Sequence, residues 1–337
     1  MPQTTDKAIG YQNIGVVGAG AWGTALAIAA AQAGRSVSLW ARERDLVAEM
    51  QSTAENTMYL PGVKLPANIA VTSDIAGTAK ADALLLVVPA QHLRASLKDI
   101  ARHAATGTPL VLCAKGIEKS TGELLTEILS EATPDCEPAI LSGPSFAKDV
   151  ARGMPTAVTI AARMDIALKL QAALGHATFR PYASDDIVGV ALGGAAKNVY
   201  AIASGIVDGM GLGESARAAL IARSFAELTR LGTALGAKPE TLMGLSGLGD
   251  LVLTATSKSS RNFSFGHALG QGGALKELDA PGHALAEGVE TAPAIVKRAK
   301  KEGIELPIAE AVAAVLDGSL PLGDAVLRLM SRPLKPE

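Results

Sequence analysis

"NIGVVGAG" (13–20) runs directly into "AWGTALAIAAAQAG" (21–34). The first stretch is a short β-rich run that ends in glycines. The second is rich in alanine and closes on Gly34, which suits a helix and its C-terminal cap. Across the junction lies Gly18-Ala19-Gly20-Ala21-Trp22-Gly23, a G-x-G-x-x-G. The pattern alone is weak. Placed directly after a strand and at the start of a helix, in the first βα turn, it reads as a dinucleotide-binding loop. Gly18 permits the tight turn, Gly20 lets the backbone approach a pyrophosphate, and Gly23 lets the helix pack closely on the sheet. The helix start offers free N–H groups to phosphates.

The same alternation of strand and helix continues through the first half. Strands are predicted at 36–41, 69–72, 83–89, 109–115, 138–142, 156–162 and 178–183, with helical patterns such as "QHLRASLKDIARHAA" between them. The strands are continuous apolar runs, as expected when both faces of a sheet are covered. The expected fold is therefore α/β, a Rossmann-type, doubly wound and mostly parallel sheet. After about Asp186 the strand-like runs vanish. Ala/Leu-rich stretches with helical spacing occupy 187–207, 213–235, 262–269, 289–302 and 307–316, so the C-terminal part is expected to be all-helical. The predicted organisation is a flexible tail over 1–12, a nucleotide-binding domain over 13–187 and a helical substrate domain over 188–337.

Composition narrows the function classes. Net charge is −2, so there is no basic field to suggest a nucleic-acid or membrane-surface partner. Cys113 and Cys136 have no motif spacing, which argues against a disulfide scaffold or a zinc site, and no metal is expected. The N-terminal "MPQTTDKAIGYQ" lacks a signal-peptide pattern, and the apolar run "IVGVALGGAA" is short for a bilayer and closed by Lys197. A cytoplasmic protein is expected.

The second strand carries the ribose information. An NAD-selective site usually ends this strand in Asp or Glu. Here it ends "LWARERD", with Trp40 and Ala41 in that place and Arg42 next. Arg42, helped by Arg44, suits a 2′-phosphate, so NADPH is the predicted preference with NAD also accepted. Beyond the strand ends lie "VVPAQH", "CAKG" and "LSGPSFAKD". In the last, Ser142 or Gly143 can cap and Pro144 suits a first helical position. The helical half adds a "GLGD" turn, expected to fix Asp250, and "SSRN", which supplies a capped helix start beside Arg261. Such a start with an arginine suits a phosphate.

"GGAAKNVYAIASG" (193–205) sets Lys197 and Asn198 among small apolar residues. A buried lysine is costly unless an anion or a proton-transfer duty holds it there. Burial and neighbouring cations lower a lysine's pKa, which is what a general base requires near neutrality. Gly193, Gly194, Ala195 and Ala196 are expected to let this helix approach the other domain.

The segments "GAGAWGTALA", "CAKGIE", "SGPSFAKD", "GGAAKNVYAIASGI", "GLGDLVLT" and "SSRN" together resemble the bacterial-type NAD(P)-dependent glycerol-3-phosphate dehydrogenases, in the same order from Ile14 to about Pro321. The resemblance implies reversible hydride transfer between glycerone phosphate and sn-glycerol 3-phosphate, for phospholipid synthesis, in a homodimer. It makes Lys197 the proton acceptor. It places Lys115, Gly143, Ser145, Asp250, Ser260, Arg261 and Asn262 on the substrate. It places Ala21, Trp22, Arg42, Lys115, Ala147, Arg261, Leu285 and Glu287 on the cofactor. The family usually has serine where Ala21 stands, so a hydroxyl bond to the pyrophosphate is lost while the backbone N–H remains. Three rivals are weighed. Ketopantoate reductases and 3-hydroxyacid dehydrogenases share the two-domain plan, but their asparagine follows the lysine by one helical turn, where this chain has Ala201. A second enzyme reading takes His92 as base. A non-catalytic NADP-binding sensor would have no use for Lys115, Lys197, Asp250 and Arg261 together.

Overall fold

The computed structural model describes residues 10–278 and 286–333. The chain forms two compact units. One comprises the residues up to Ala114 together with Leu125–Val190, the other Lys115–Leu124 together with the residues from Ala191 onward.

The first unit is built on one eight-stranded sheet: β1 (Asn13–Val17), β2 (Ser36–Trp40), β3 (Ile69–Thr72), β4 (Ala83–Leu86), β5 (Pro109–Leu112), β6 (Glu137–Ser142), β7 (Thr156–Ala161) and β8 (Phe179–Ser184). Their order is β3-β2-β1-β4-β5-β6-β7-β8. The first six are parallel, β7 runs antiparallel to β6, and β8 is parallel to β7. All eight predicted strands are present, and the first six follow the dinucleotide-binding strand order. Every residue of β4 and β5 is buried, which is why those runs are continuously apolar. Val17 at the end of β1 pairs with Trp40 on one side and Leu86 on the other, so three strands end level where the glycine loop begins. The helix that follows, Ala21–Gln32, is buried from Gly23 to Ala31, in keeping with its small alanine side chains. Of the stretch expected as a tail, residues 1–9 lie outside the described residues. Gln12 is tied to this unit by its backbone N–H on Asp82 (2.9 Å) and its side-chain oxygen under Arg35 (2.8 Å).

One local expectation fails after β6. Ser142 is the last strand residue, and the helix begins at Ala147 with Phe146 as N-cap, not at Pro144. Gly143 takes φ +149°, and a Cβ there would lie 2.9 Å from the Val158 Cα of β7. Proline also disfavours helical backbone in the residue before it. The chain therefore bends at Gly143 and Pro144, against β7, before it coils.

The second unit is helical, as predicted. The predicted long stretches appear as Ile187–Gly209, Glu214–Ala234, Arg261–Gly270, Glu287–Lys301 and Pro307–Leu316. The stretch predicted over 187–207 is a single helix of 23 residues, Ile187–Gly209, which runs on past Lys197, where the apolar run ends. By length and composition it could cross a bilayer, yet 89% of its most apolar window is buried inside the protein. This helix touches Arg261–Gly270 backbone to backbone: a Cβ on Gly205 would lie 2.0 Å from the Phe263 carbonyl oxygen, and one on Gly266 2.1 Å from that of Ile202. Gly209 and Gly270, each four residues on, repeat the contact. Glu227, buried on Glu214–Ala234, caps Pro307–Leu316 by accepting the N–H groups of Ile308 (2.7 Å) and Ala309 (3.3 Å). It also accepts the Tyr200 hydroxyl at 3.4 Å. Burial raises its carboxyl pKa to about 7, against the pull of the two N–H donors.

Candidate active site

The glycine loop has the geometry its spacing predicted. Gly18 adopts φ +114°, and a Cβ there would lie 2.7 Å from the Val87 carbonyl oxygen. A Cβ on Gly23 would lie 1.8 Å from the Gly18 oxygen, so only glycine lets the helix start so close under the turn. Gly20 is the N-cap of Ala21–Gln32 and faces open space, with nothing within 4 Å of an added Cβ. Trp22 Nε1 is buried with no hydrogen-bond partner among the described residues. Open space, an unpartnered indole donor and the free N–H groups of a 12-residue helix fit the diphosphate of a dinucleotide.

The remaining predicted residues of this unit are separately placed. Arg42 follows β2 with its side chain 81% exposed and, among the described residues, pairs with neighbouring Glu43 at 2.9 Å. So exposed a pair contributes little, and the guanidinium can exchange it for a phosphate. Arg44 begins the next helix, Arg44–Thr53. Ser145 donates its hydroxyl to the Gly143 carbonyl at 3.0 Å. Ala147 opens the short helix Ala147–Ala151. His92 is exposed at the end of a 3-10 turn.

The helical unit gathers the charged candidates around Asp250, which is fully buried. The predicted "GLGD" turn is a π-helical turn, Leu245–Gly249, that feeds the helix Asp250–Thr256. A Cβ on Gly193 would lie 2.6 Å from the Ser246 carbonyl oxygen. The close approach expected at the small residues is thus, at Gly193, to a partner within the helical unit. Lys197 and Asp250 each lie four residues beyond that contact, one turn up their own helices, which sets them face to face. Lys197 Nζ donates to Asp250 Oδ1 and, at 3.0 Å, to Thr254 Oγ1. Lys115 Nζ donates to Asp250 Oδ2 at 2.6 Å. Lys115 reaches this unit on the segment Lys115–Leu124, which is fastened to the helix Glu287–Lys301. Lys119 pairs with Glu290 at 2.7 Å, and Lys297 donates to the Ser120 carbonyl at 2.8 Å.

One carboxylate therefore serves two amines. Burial lowers the Lys197 pKa to about 7; Asp250 opposes this and Lys115 reinforces it. When Lys197 releases its proton, the Lys115–Asp250 pair stays neutral, so no unpaired charge is left buried.

Around this core the other predicted residues fall into two sets. Asn262 donates to Asn198 Oδ1 at 3.0 Å and accepts the Gly288 N–H at 2.8 Å. Asn198 donates to Glu287 at 3.4 Å, so both asparagine amides are committed to a frame that holds Glu287. Burial raises the Glu287 pKa, and the nearby Arg261, Lys115 and Lys197 pull it down. Ser260 is the N-cap of Arg261–Gly270 and accepts the Phe263 N–H at 3.2 Å. Arg261, the first residue of that helix, is exposed, with no hydrogen-bond partner among the described residues. Leu285 lies outside the described residues. Thr254 was not singled out from sequence. Its signal was present, four residues after Asp250 on one helix face.

A family model for the N-terminus of NAD-dependent glycerol-3-phosphate dehydrogenase matches residues 13–167, and one for its C-terminus matches 186–327. The chain belongs to this family. Its relatives include glycerol-3-phosphate dehydrogenase [NAD(P)+] of Parvibaculum lavamentivorans, 57% identical over 98% of this chain and 99% of that protein. The protein of the same description from Caulobacter vibrioides is 52% identical over 97% of this chain and 99% of that one. Among solved structures, glycerol-3-phosphate dehydrogenase of Coxiella burnetii is 38% identical, with a TM-score of 0.91 over 96% of this chain and 99% of that one. A ketopantoate reductase of Ralstonia eutropha, 16% identical with a TM-score of 0.58, shares the fold alone.

Proposed function

We propose that this member of the family catalyses reversible hydride transfer between glycerone phosphate and sn-glycerol 3-phosphate with NAD(P), with Lys197 as the proton-transferring group. The carrying observation is the buried Asp250 shared by Lys197 and Lys115. In alcohol oxidation the neutral Lys197 amine accepts the hydroxyl proton. In the reverse direction the ammonium returns it to the carbonyl oxygen. Asp250 and Thr254 hold Nζ in place through both directions. A pKa near the working pH is the condition under which one group serves as acid and base. The bound dinucleotide supplies the hydride acceptor, or the donor in the reverse direction. Gly18, Gly20, Ala21, Trp22 and Gly23 would hold its diphosphate and Arg42 its 2′-phosphate, which supports a preference for NADPH with NAD also used. Ala147, Leu285 and Glu287 are proposed as further cofactor contacts.

The substrate is a phosphorylated three-carbon compound. Arg261, at the capped start of a ten-residue helix, offers a guanidinium and helix N–H groups to its phosphate. Lys115, Arg261 and Lys197 stand against two carboxylates, Asp250 and Glu287, which leaves one net positive charge while Lys197 is protonated and favours an anionic ligand. Gly143, Ser145, Ser260 and Asn262 complete the proposed substrate set, the last two chiefly by fixing backbone and Glu287. The proposed setting is a cytoplasmic homodimer that supplies glycerol phosphate to phospholipid synthesis. The test is NADPH oxidation with glycerone phosphate, set against ketopantoate and acetoacetyl-CoA. Turnover confined to glycerone phosphate is expected, and turnover with either rival substrate alone overturns the reading.

A further inference from the structure

Asn56 carries no charge and belongs to none of the motifs above, yet it is fully buried and uses both ends of its amide. Its Nδ2 donates to the Ala19 carbonyl and to Thr24 Oγ1, both at 2.8 Å. Its Oδ1 accepts the Tyr59 N–H at 3.2 Å. One side chain thus bridges the middle of the glycine loop and the first turn of the helix behind it. It arrives from the segment just after Arg44–Thr53, in which Ala54 takes a left-handed backbone at φ 51°.

The Ala19 carbonyl and the Gly20 N–H belong to one peptide group. That peptide is trans, so the two point in opposite directions. Holding the carbonyl inward on Asn56 therefore turns the Gly20 N–H the other way, at a residue that is itself only half-buried. Among the described residues that N–H has no backbone acceptor. We infer that Asn56 is a positioning residue for cofactor binding: by anchoring the Ala19 carbonyl it aims the Gly20 N–H at the dinucleotide diphosphate. A glycine peptide is otherwise free to flip, since Gly20 has no Cβ to resist it. The inference rests on the dinucleotide reading of the loop.

The test compares two ligands by titration. NADPH contains the diphosphate; 2′-AMP has the 2′-phosphate and adenosine but no diphosphate. Asn56→Asp keeps the shape and the acceptor for Tyr59 but sets an oxygen against the Ala19 carbonyl. Asn56→Ala removes the donor without adding charge. Each should raise the NADPH Kd about tenfold or more, because a donor fixed on the loop is lost and its buried acceptor is left unpaired. The 2′-AMP Kd should stay near wild type. Thr24→Val, which releases only the second acceptor, should leave both Kd values unchanged. An unchanged NADPH Kd, or equal loss for both ligands, overturns the inference. Wild-type protein that binds neither ligand would instead overturn the dinucleotide reading. Should the Asn56 variants not fold, the wild type still decides: its Asn56 side-chain amide protons should exchange more slowly with NADPH bound, and no change overturns the inference.

Discussion

Lys197 loses its proton readily because burial disfavours its charge while Asp250, the carboxylate in direct contact with it, is already engaged by Lys115. Its folded-state pKa, lowered from 10.5 to about 7, sets the direction of two pH effects. In steady-state kinetics, kcat/KM for glycerol 3-phosphate oxidation should rise as pH passes through about 7, when the acceptor form appears, and the reduction rate should fall over the same interval. Lys197→Ala should lower turnover by roughly 10²–10⁴-fold, the usual range for a lost general acid–base, with NADPH binding retained as the control. Lys197→Arg should not restore it, because a guanidinium stays protonated. An arginine variant at near wild-type turnover would make Lys197 an electrostatic anchor. At Arg42 the prediction is one of selectivity. Arg42→Asp places a negative charge where the 2′-phosphate is proposed, so the Kd for NADPH should rise well above that for NADH at low salt. An equal shift for both cofactors would remove Arg42 from the ribose site.

The elements that hold these residues are set by backbone proximity. Helices Ile187–Gly209 and Arg261–Gly270 meet at Gly205, Gly209, Gly266 and Gly270, and there is no room for a methyl group between them. Gly266→Ala should therefore lower stability by about 1–3 kcal/mol, as overpacking does, despite alanine's better helix propensity. Thermal melting measures it, and an unchanged Tm would mean that the helices can separate without cost. The same rigidity carries to Asn198 and Asn262, which face each other from these two helices and frame Glu287. The strands and long helices were legible in the sequence because each follows from local periodicity and glycine punctuation. The π-helical turn Leu245–Gly249 and the late start of Ala147–Ala151 were not. Both depend on what the chain meets across space: Gly193 at Ser246, and Val158 at Gly143.

Two buried titrating groups of the helical unit give the molecule opposed pH responses. Glu227 ties three helices together, and its pKa is raised from 4.5 to about 7. Its contribution is fully present below its unfolded-state pKa and is lost as pH rises through about 7. Relative to Glu227→Gln, the wild type should lose on the order of 3 kcal/mol of stability across that interval. Lys197 acts the other way, adding stability as pH rises from about 7 toward 10.5. Melting both proteins at pH 5 and pH 8 reads the Glu227 effect, and a constant gap in Tm would show that the carboxyl does not titrate. The sequence alone determined the doubly wound sheet, the helical second half and the glycine loop, and it singled out Lys197, Lys115, Asp250 and Arg261 as the candidates for chemistry. Those features rest on short-range spacing and on residue chemistry that neighbours in the chain can reveal. Only the tertiary structure decided that Lys115 and Lys197 share Asp250, that the asparagines serve Glu287, and that Asn56 reaches the Ala19 carbonyl. Asn56 stands 37 residues from Ala19 and Lys115 stands 135 from Asp250, so no local pattern links them. Such contacts exist only once the core has paid the conformational entropy of bringing distant backbone together.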